Sequence, residues 1–143
     1  MFQKLLLWVD ERPESAAAAN QALLLARLGD ARVFAVSVLE VPAAAEPSGA
    51  ASAAKRLRRG PRRKATPTAE PEERAWSRLY EIEDDAFEAN VKISLLLETG
   101  NRDEKLLALI DSYQLDALII GTRSIRGWEE LIERCPVTVL LSR

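Results

Sequence analysis

Residues 98–124, ETGNRDEKLLALIDSYQLDALIIGTRS, carry the reading that decides the fold. Gly100 closes an apolar stretch. Asn101-Arg102-Asp103-Glu104 then has the form of a capping box, with Asn101 placed to accept from backbone N–H groups and Glu104 to reach back. Leu106, Ile110 and Tyr113 follow at helical spacing. Ala117-Leu118-Ile119-Ile120 is a short, wholly apolar run ending at Gly121, the pattern of a strand buried on both faces. A capped helix feeding a fully buried strand is a unit of a parallel sheet.

Working outward, the same unit recurs. Leu5-Leu6-Leu7-Trp8-Val9 is a second continuous apolar run, ending at Asp10. Pro13 suits the first turn of a helix over 14–28, Ser15 is its candidate cap, and Gly29 stands where a C-terminal cap belongs. Ala18, Ala22 and Leu25 form the face of that helix, small enough to lie close to a sheet. Residues 32–39, RVFAVSVL, read as the next strand. After a break, order returns at Pro71: Ala75, Leu79, Ile82 and Ala86 mark a buried helical face, with Glu81, Asp84, Asp85 and Glu88 opposite. Val91, Ile93, Leu95 and Leu97 suggest a strand near a sheet edge. Ser124 is a candidate cap for a last helix reaching Arg134, and residues 136–141, PVTVLL, form a final strand. The order is β-α-β-loop-α-β-α-β-α-β. Strands alternating with helices require right-handed crossovers and a parallel sheet, here an α/β three-layer sandwich of five strands. Ligands in such sheets bind beyond the carboxyl ends of the strands. Asp10, Val38 and the stretch from Gly121 to Ser124 fall at those ends.

Composition narrows the chemistry. The 143 residues fit one domain, 1–143, and include no histidine and one cysteine. Histidine-based acid–base catalysis, Ser-His and Cys-His nucleophilic pairs and imidazole metal sites are thereby excluded. A lone Cys135 rules out an internal disulfide framework and fits a reducing, cytoplasmic setting. No apolar run approaches the ~20 residues of a membrane span, and the opening MFQKLLLWVDERP is too short in apolar residues for a signal peptide. The net charge of −2 conceals an uneven distribution, because residues 47–69 carry +7 and the rest of the chain −9. That basic stretch, with its run KRLRRGPRRK at 55–64, lies in a segment of about 42–70 rich in Ala, Pro, Ser, Gly and Arg, which is expected to be a disordered loop.

In sum these residues resemble the universal stress protein family. LLLWVDERPES is similar to the family's first strand with its terminal aspartate, SVLEVP to the end of its second, residues 98–124 to its turn, third helix and fourth strand, and RCPVTVLLSR to its last strand. The resemblance implies an adenine nucleotide alpha hydrolase-like sheet in the order 3-2-1-4-5, frequent dimers through the last strand, and in many members ATP binding. Those members follow the fourth strand with a glycine, two residues, a second glycine, nine residues, then Gly-Ser or Gly-Thr, a cradle whose amides and helix start hold phosphate. Here Gly121 is followed three residues later by Ser124, and the simplest alignment deletes about ten residues with both later glycines. What the resemblance leaves in matching places is Asp10, against ribose, Val38, against adenine, and Gly121, Arg123 and Ser124 at the phosphate end. Trp8 stands where a smaller residue is usual, and its indole is expected to intrude on the adenine pocket. No cofactor and no tight ATP binding are therefore expected, and no catalytic or metal-binding residue is assigned.

Each feature also has a plainer role. Asp10 can accept from N–H groups at the next helix start, Ser124 can serve as an N-cap, Gly121 can serve a tight turn, Cys135 can be a small core residue, and the acidic helix face can be a solvated surface. The basic run, with Arg56, Arg58, Arg59, Arg62 and Arg63, has three readings: an inert loop, a non-specific binder of nucleic acid or an acidic membrane surface, or an anion-binding segment that replaces the deleted glycines. It lacks interleaved aromatics for base stacking, so nucleic acid is not its expected partner. The apolar last strand is an edge that a second copy would cover, giving a homodimer. The expected function is a stress-response binding or regulatory module without enzymatic activity. The alternatives are a nucleotide-binding protein whose phosphate site has been rebuilt around Asp10, Val38, Gly121, Ser124 and the arginine run, and an enzyme such as a weak nucleotide hydrolase working through carboxylates and arginines.

Overall fold

A computed structural model describes residues 2–40, 69–122 and 126–142, with residues 69 and 70 described by their backbone alone. Most of the segment at 42–70 lies outside these residues, as do Arg123 and Ser124. In chain order the elements are β1 (Lys4–Trp8), α1 (Pro13–Gly29), β2 (Arg32–Leu39), α2 (Ala69–Glu88), β3 (Lys92–Thr99), α3 (Arg102–Tyr113), β4 (Ala117–Gly121), α4 (Glu129–Arg134) and β5 (Thr138–Ser142). The strands form one parallel sheet in the order β3-β2-β1-β4-β5. This is the α/β arrangement and strand order expected.

Side-chain alternation on the central strand makes the three layers. Leu5, Leu7 and Val9 point into one core, shared with Ala18, Ala22 and Ala26 of α1 and Leu79 and Ala86 of α2. Leu6 and Trp8 point into the other, shared with Leu106 and Ile110 of α3 and Trp128 and Leu131 beside and on α4. Each fully buried leucine contributes about 2 kcal/mol by leaving water. Leu6 sits in register between Phe34 and Leu118, so β1 is covered on both edges and both faces. Asp116 fixes that register from the amino end, where its carboxylate accepts from the Gln3 and Lys4 amides at 2.7 and 2.8 Å.

Four local expectations are corrected. Gly29 ends α1, but the left-handed residue that caps it is Asp30, at φ 56°. Ser15 does not cap α1 either. The N-cap position belongs to Arg12, and Ser15 is buried within the first turn. The helix after the break starts at Ala69, ahead of Pro71, because proline is tolerated in a first turn. The last helix begins at Glu129 with Trp128 at its N-cap position, so Ser124 is four positions too early to cap it. By contrast, Asn101 Oδ1 accepts from the Glu104 amide at 3.0 Å, as its capping pattern requires.

Candidate functional site

The carboxyl ends of β1, β2 and β4 meet two different kinds of surrounding. On the α1 side the first turn of the helix is set directly on β4. A Cβ built at Gly121 would lie 2.0 Å from the Glu14 carbonyl oxygen and 2.9 Å from the Ser15 nitrogen. The glycine is therefore needed for close strand–helix approach, and Gly121 belongs to the strand itself, not to a tight turn after it. Ser15 Oγ accepts from the Asp10 amide at 2.8 Å, which draws the residues following β1 onto the same turn. The Asp10 carboxylate accepts from the Arg12 amide at 3.0 Å and from Arg12 Nε at 2.9 Å. Its plainer role is thus realised, as a bracket holding the start of α1, and its side chain is 20% exposed.

On the α3 side the strand ends are covered by indoles. Trp8 and Trp128 meet edge to face, with centroids 4.9 Å apart and an interplanar angle of 79°, and are only 6% and 1% exposed. The Arg102 guanidinium lies 3.8 Å from the Trp128 ring centroid and 5.8 Å from that of Trp8. Arg102 is held in place by donating to the Gly127 carbonyl and, at 2.8 Å, to Asp103 Oδ1. Arg12 approaches Trp8 at 5.8 Å as well. Cation–π contacts and ring packing of this density make a rigid block. One polar atom inside it is unmatched: Trp8 Nε1 is buried with no hydrogen-bond partner among the described residues.

Of the residues singled out in the sequence, Asp10 and Gly121 converge on the first turn of α1. Val38 is half-buried on the opposite face of the sheet, in the core that holds Trp8. Arg123, Ser124 and the arginines at 56, 58, 59, 62 and 63 lie outside the described residues. Cys135 is half-buried after α4. Glu81, Asp84, Asp85 and Glu88 are exposed, and among the described residues no group of three or more His, Cys, Asp or Glu could hold a metal ion. No helix among them is long and apolar enough to cross a membrane. Sequence reasoning missed Arg102 and Trp128. An arginine just inside a helix and a tryptophan after a glycine carry no periodic signal, and only the fold brings them beside Trp8.

Comparison with solved structures gives the same architecture. The universal stress protein UspA from Lactobacillus plantarum superposes with a TM-score of 0.75 at 14% identity, covering 99% of this chain and 98% of that one. A universal stress protein in complex with cAMP gives 0.69 at 20% identity, over 99% and 97% of the two chains. A universal stress protein family protein from Arabidopsis thaliana with AMP bound gives 0.66 at 13% identity, over 99% and 92%. No curated protein matches the chain. The sequence model of the universal stress protein family matches residues 1–141, nearly the whole chain. The chain therefore belongs to the universal stress protein family.

Proposed function

We propose that this chain is a stress-response binding or regulatory module that carries out no chemistry of its own, holds no ATP tightly and works as a cytoplasmic homodimer. The observation that carries the proposal is the packed set Trp8, Trp128 and Arg102 over the carboxyl ends of the strands. An adenine ring entering there would have to displace two nearly buried indoles. Gly121, at the end of β4, is taken up by α1, with no room for a Cβ and none for a phosphate on that side. The shortened loop of the sequence supports the same conclusion. For the dimer, the support is β5: it pairs with β4 alone among the described strands, and Leu141 on it is exposed.

A second function is favoured by one finding, that two structural neighbours carry cAMP and AMP. In that case the nucleotide site is rebuilt from Asp10, Val38, Gly121, Arg123 and Ser124, with Arg56, Arg58, Arg59, Arg62 and Arg63 supplying charge. Thermal unfolding with and without millimolar ATP, AMP or cAMP and Mg²⁺ separates the two. A ligand at a hundredfold excess over its Kd stabilises the native state by about 2.7 kcal/mol, a shift of several degrees. An unchanged midpoint is expected, and a raised one would favour the rebuilt site. Native mass spectrometry of the wild type and of Leu141→Arg tests the homodimer, which should dissociate in the variant.

A further inference from the structure

Helix α2 presents two unlike flanks. On one, Arg74 and Arg78 reach Glu11, at 3.3 and 3.8 Å, beside the start of α1. The other runs along the outer edge of β3, which pairs with β2 alone among the described strands, and there the helical spacing aligns three aromatic rings and four carboxylates. Trp76 and Tyr80 are stacked, with centroids 5.6 Å apart and planes 24° from parallel. Tyr80 is 52% exposed and Phe87, two turns further on, 84%. Trp76 rests half-buried against the same core as Ile93 and Leu95 of β3, which fixes the direction of the stripe. The carboxylates are Glu72, Glu73, Glu83 and Asp84, and none of them is paired with a cation among the described residues. Exposed rings set among unpaired carboxylates make a surface suited to guanidinium groups, which bond carboxylates through their edges and stack on aromatic faces.

The chain itself contains a segment of that chemistry. Residues 55–64, KRLRRGPRRK, hold five arginines and two lysines with no acidic residue. We propose that the outer flank of α2 is the docking surface for this basic run of the same chain. The reach allows it. Lys64 is five positions before Ala69, and five residues of chain reach at most about 18 Å from the start of α2. From Glu72 to Phe87 the stripe is about 22 Å long at helical rise. An extended run of ten residues spans up to about 35 Å, more than enough to cover the stripe. Gly60-Pro61 bars a continuous helix and suits an extended strip. The charges also match in sign and density: seven cations face four carboxylates on the stripe, with Glu81 and Glu88 close by on the same helix.

Trypsin cleavage within 55–64 reads the docking directly. Timed digestion of the intact protein, followed by mass spectrometry, is compared between wild type and Glu72→Gln/Glu73→Gln/Glu83→Gln/Asp84→Asn. At low salt the wild-type run should be cut about tenfold more slowly than in the variant, and the difference should vanish near 0.5 M salt, where the Debye length falls to a few ångström. A synthetic basic peptide digested alongside corrects for the effect of salt on the protease. Tyr80→Ser/Phe87→Ser, which alters only exposed side chains, should also lose part of the protection, so a folding defect in the first variant would not spare the proposal. Equal cleavage of wild type and both variants at low salt would overturn it and leave the run solvated. Protection that grows with protein concentration would overturn it in favour of docking between two copies.

Discussion

A methyl group at Gly121 has nowhere to go. Its carbon would sit 2.0 Å from the Glu14 carbonyl oxygen, 2.4 Å from the Glu14 carbonyl carbon and 2.9 Å from the Ser15 nitrogen, all backbone atoms of the first turn of α1. Ordinary contact with that oxygen needs about 3.4 Å, so Gly121→Ala must push α1 and β4 apart by more than 1 Å. No rotamer change can absorb this, because the obstacle is main chain. Both elements are otherwise fixed: β4 lies between β1 and β5, and α1 is packed through Ala18, Ala22 and Ala26 onto the sheet. Overpacking of a core costs about 1–3 kcal/mol when side chains can yield, so the upper end or more is expected here, about 3 kcal/mol. For a chain of this length that lowers the midpoint of thermal unfolding by roughly 10 °C. Gly127→Ala provides the control. Its Cβ meets nothing within 4 Å, and only its positive φ of 86° opposes the change, which should cost about 1 kcal/mol. Urea unfolding of both variants, with equal m-values, measures the two. A loss at Gly121 no greater than that at Gly127 would refute the close-approach argument.

Three further perturbations test the elements around the site. Trp8→Phe removes a buried N–H that has no acceptor while keeping most of the ring, so it should leave stability unchanged or raise it by up to about 1 kcal/mol in urea unfolding, whereas Trp8→Ala should cost about 3–5 kcal/mol. Asn101→Ala should cost about 1 kcal/mol through loss of the cap on the Glu104 amide, and Asn101→Asp should restore it in the same assay. Asp116→Ala strips the acceptor from the Gln3 and Lys4 amides, and amide hydrogen exchange at both positions should quicken while that at Leu6 and Leu7 changes less.

What could be read from the sequence and what could not divide along a physical line. The strands β1 and β4 announce themselves because a strand buried on both faces needs an unbroken apolar run, and Leu5 to Val9 and Ala117 to Ile120 can satisfy no other environment at that length. The buried face of α2 is equally plain, since Ala75, Leu79, Ile82 and Ala86 repeat at helical spacing. Boundaries are less legible where a turn residue has two uses: Gly29 and Asp30 can both end α1, and the chain chose the residue with a side chain for the left-handed position. At the site, short-range pattern stops being informative. Asp10 was legible as a helix-start acceptor because its partner is two residues away. The Gly121 contact involves Glu14, more than a hundred positions back, and the Trp8–Arg102–Trp128 set joins three separate elements. Neither Arg102 nor Trp128 is marked by its neighbours. What the fold does bring together at these strand ends is Trp8, Trp128 and Arg102, in direct ring and guanidinium contact. Trp8→Ala with Arg102→Ala, titrated with nucleotide by calorimetry beside the wild type, tests whether this set underlies the proposed lack of tight ATP binding. A variant that folds and gains micromolar affinity would mean that the indoles, and not the shortened loop, are what excludes the ligand. No binding by either protein would point instead to the short sequence between Gly121 and Ser124.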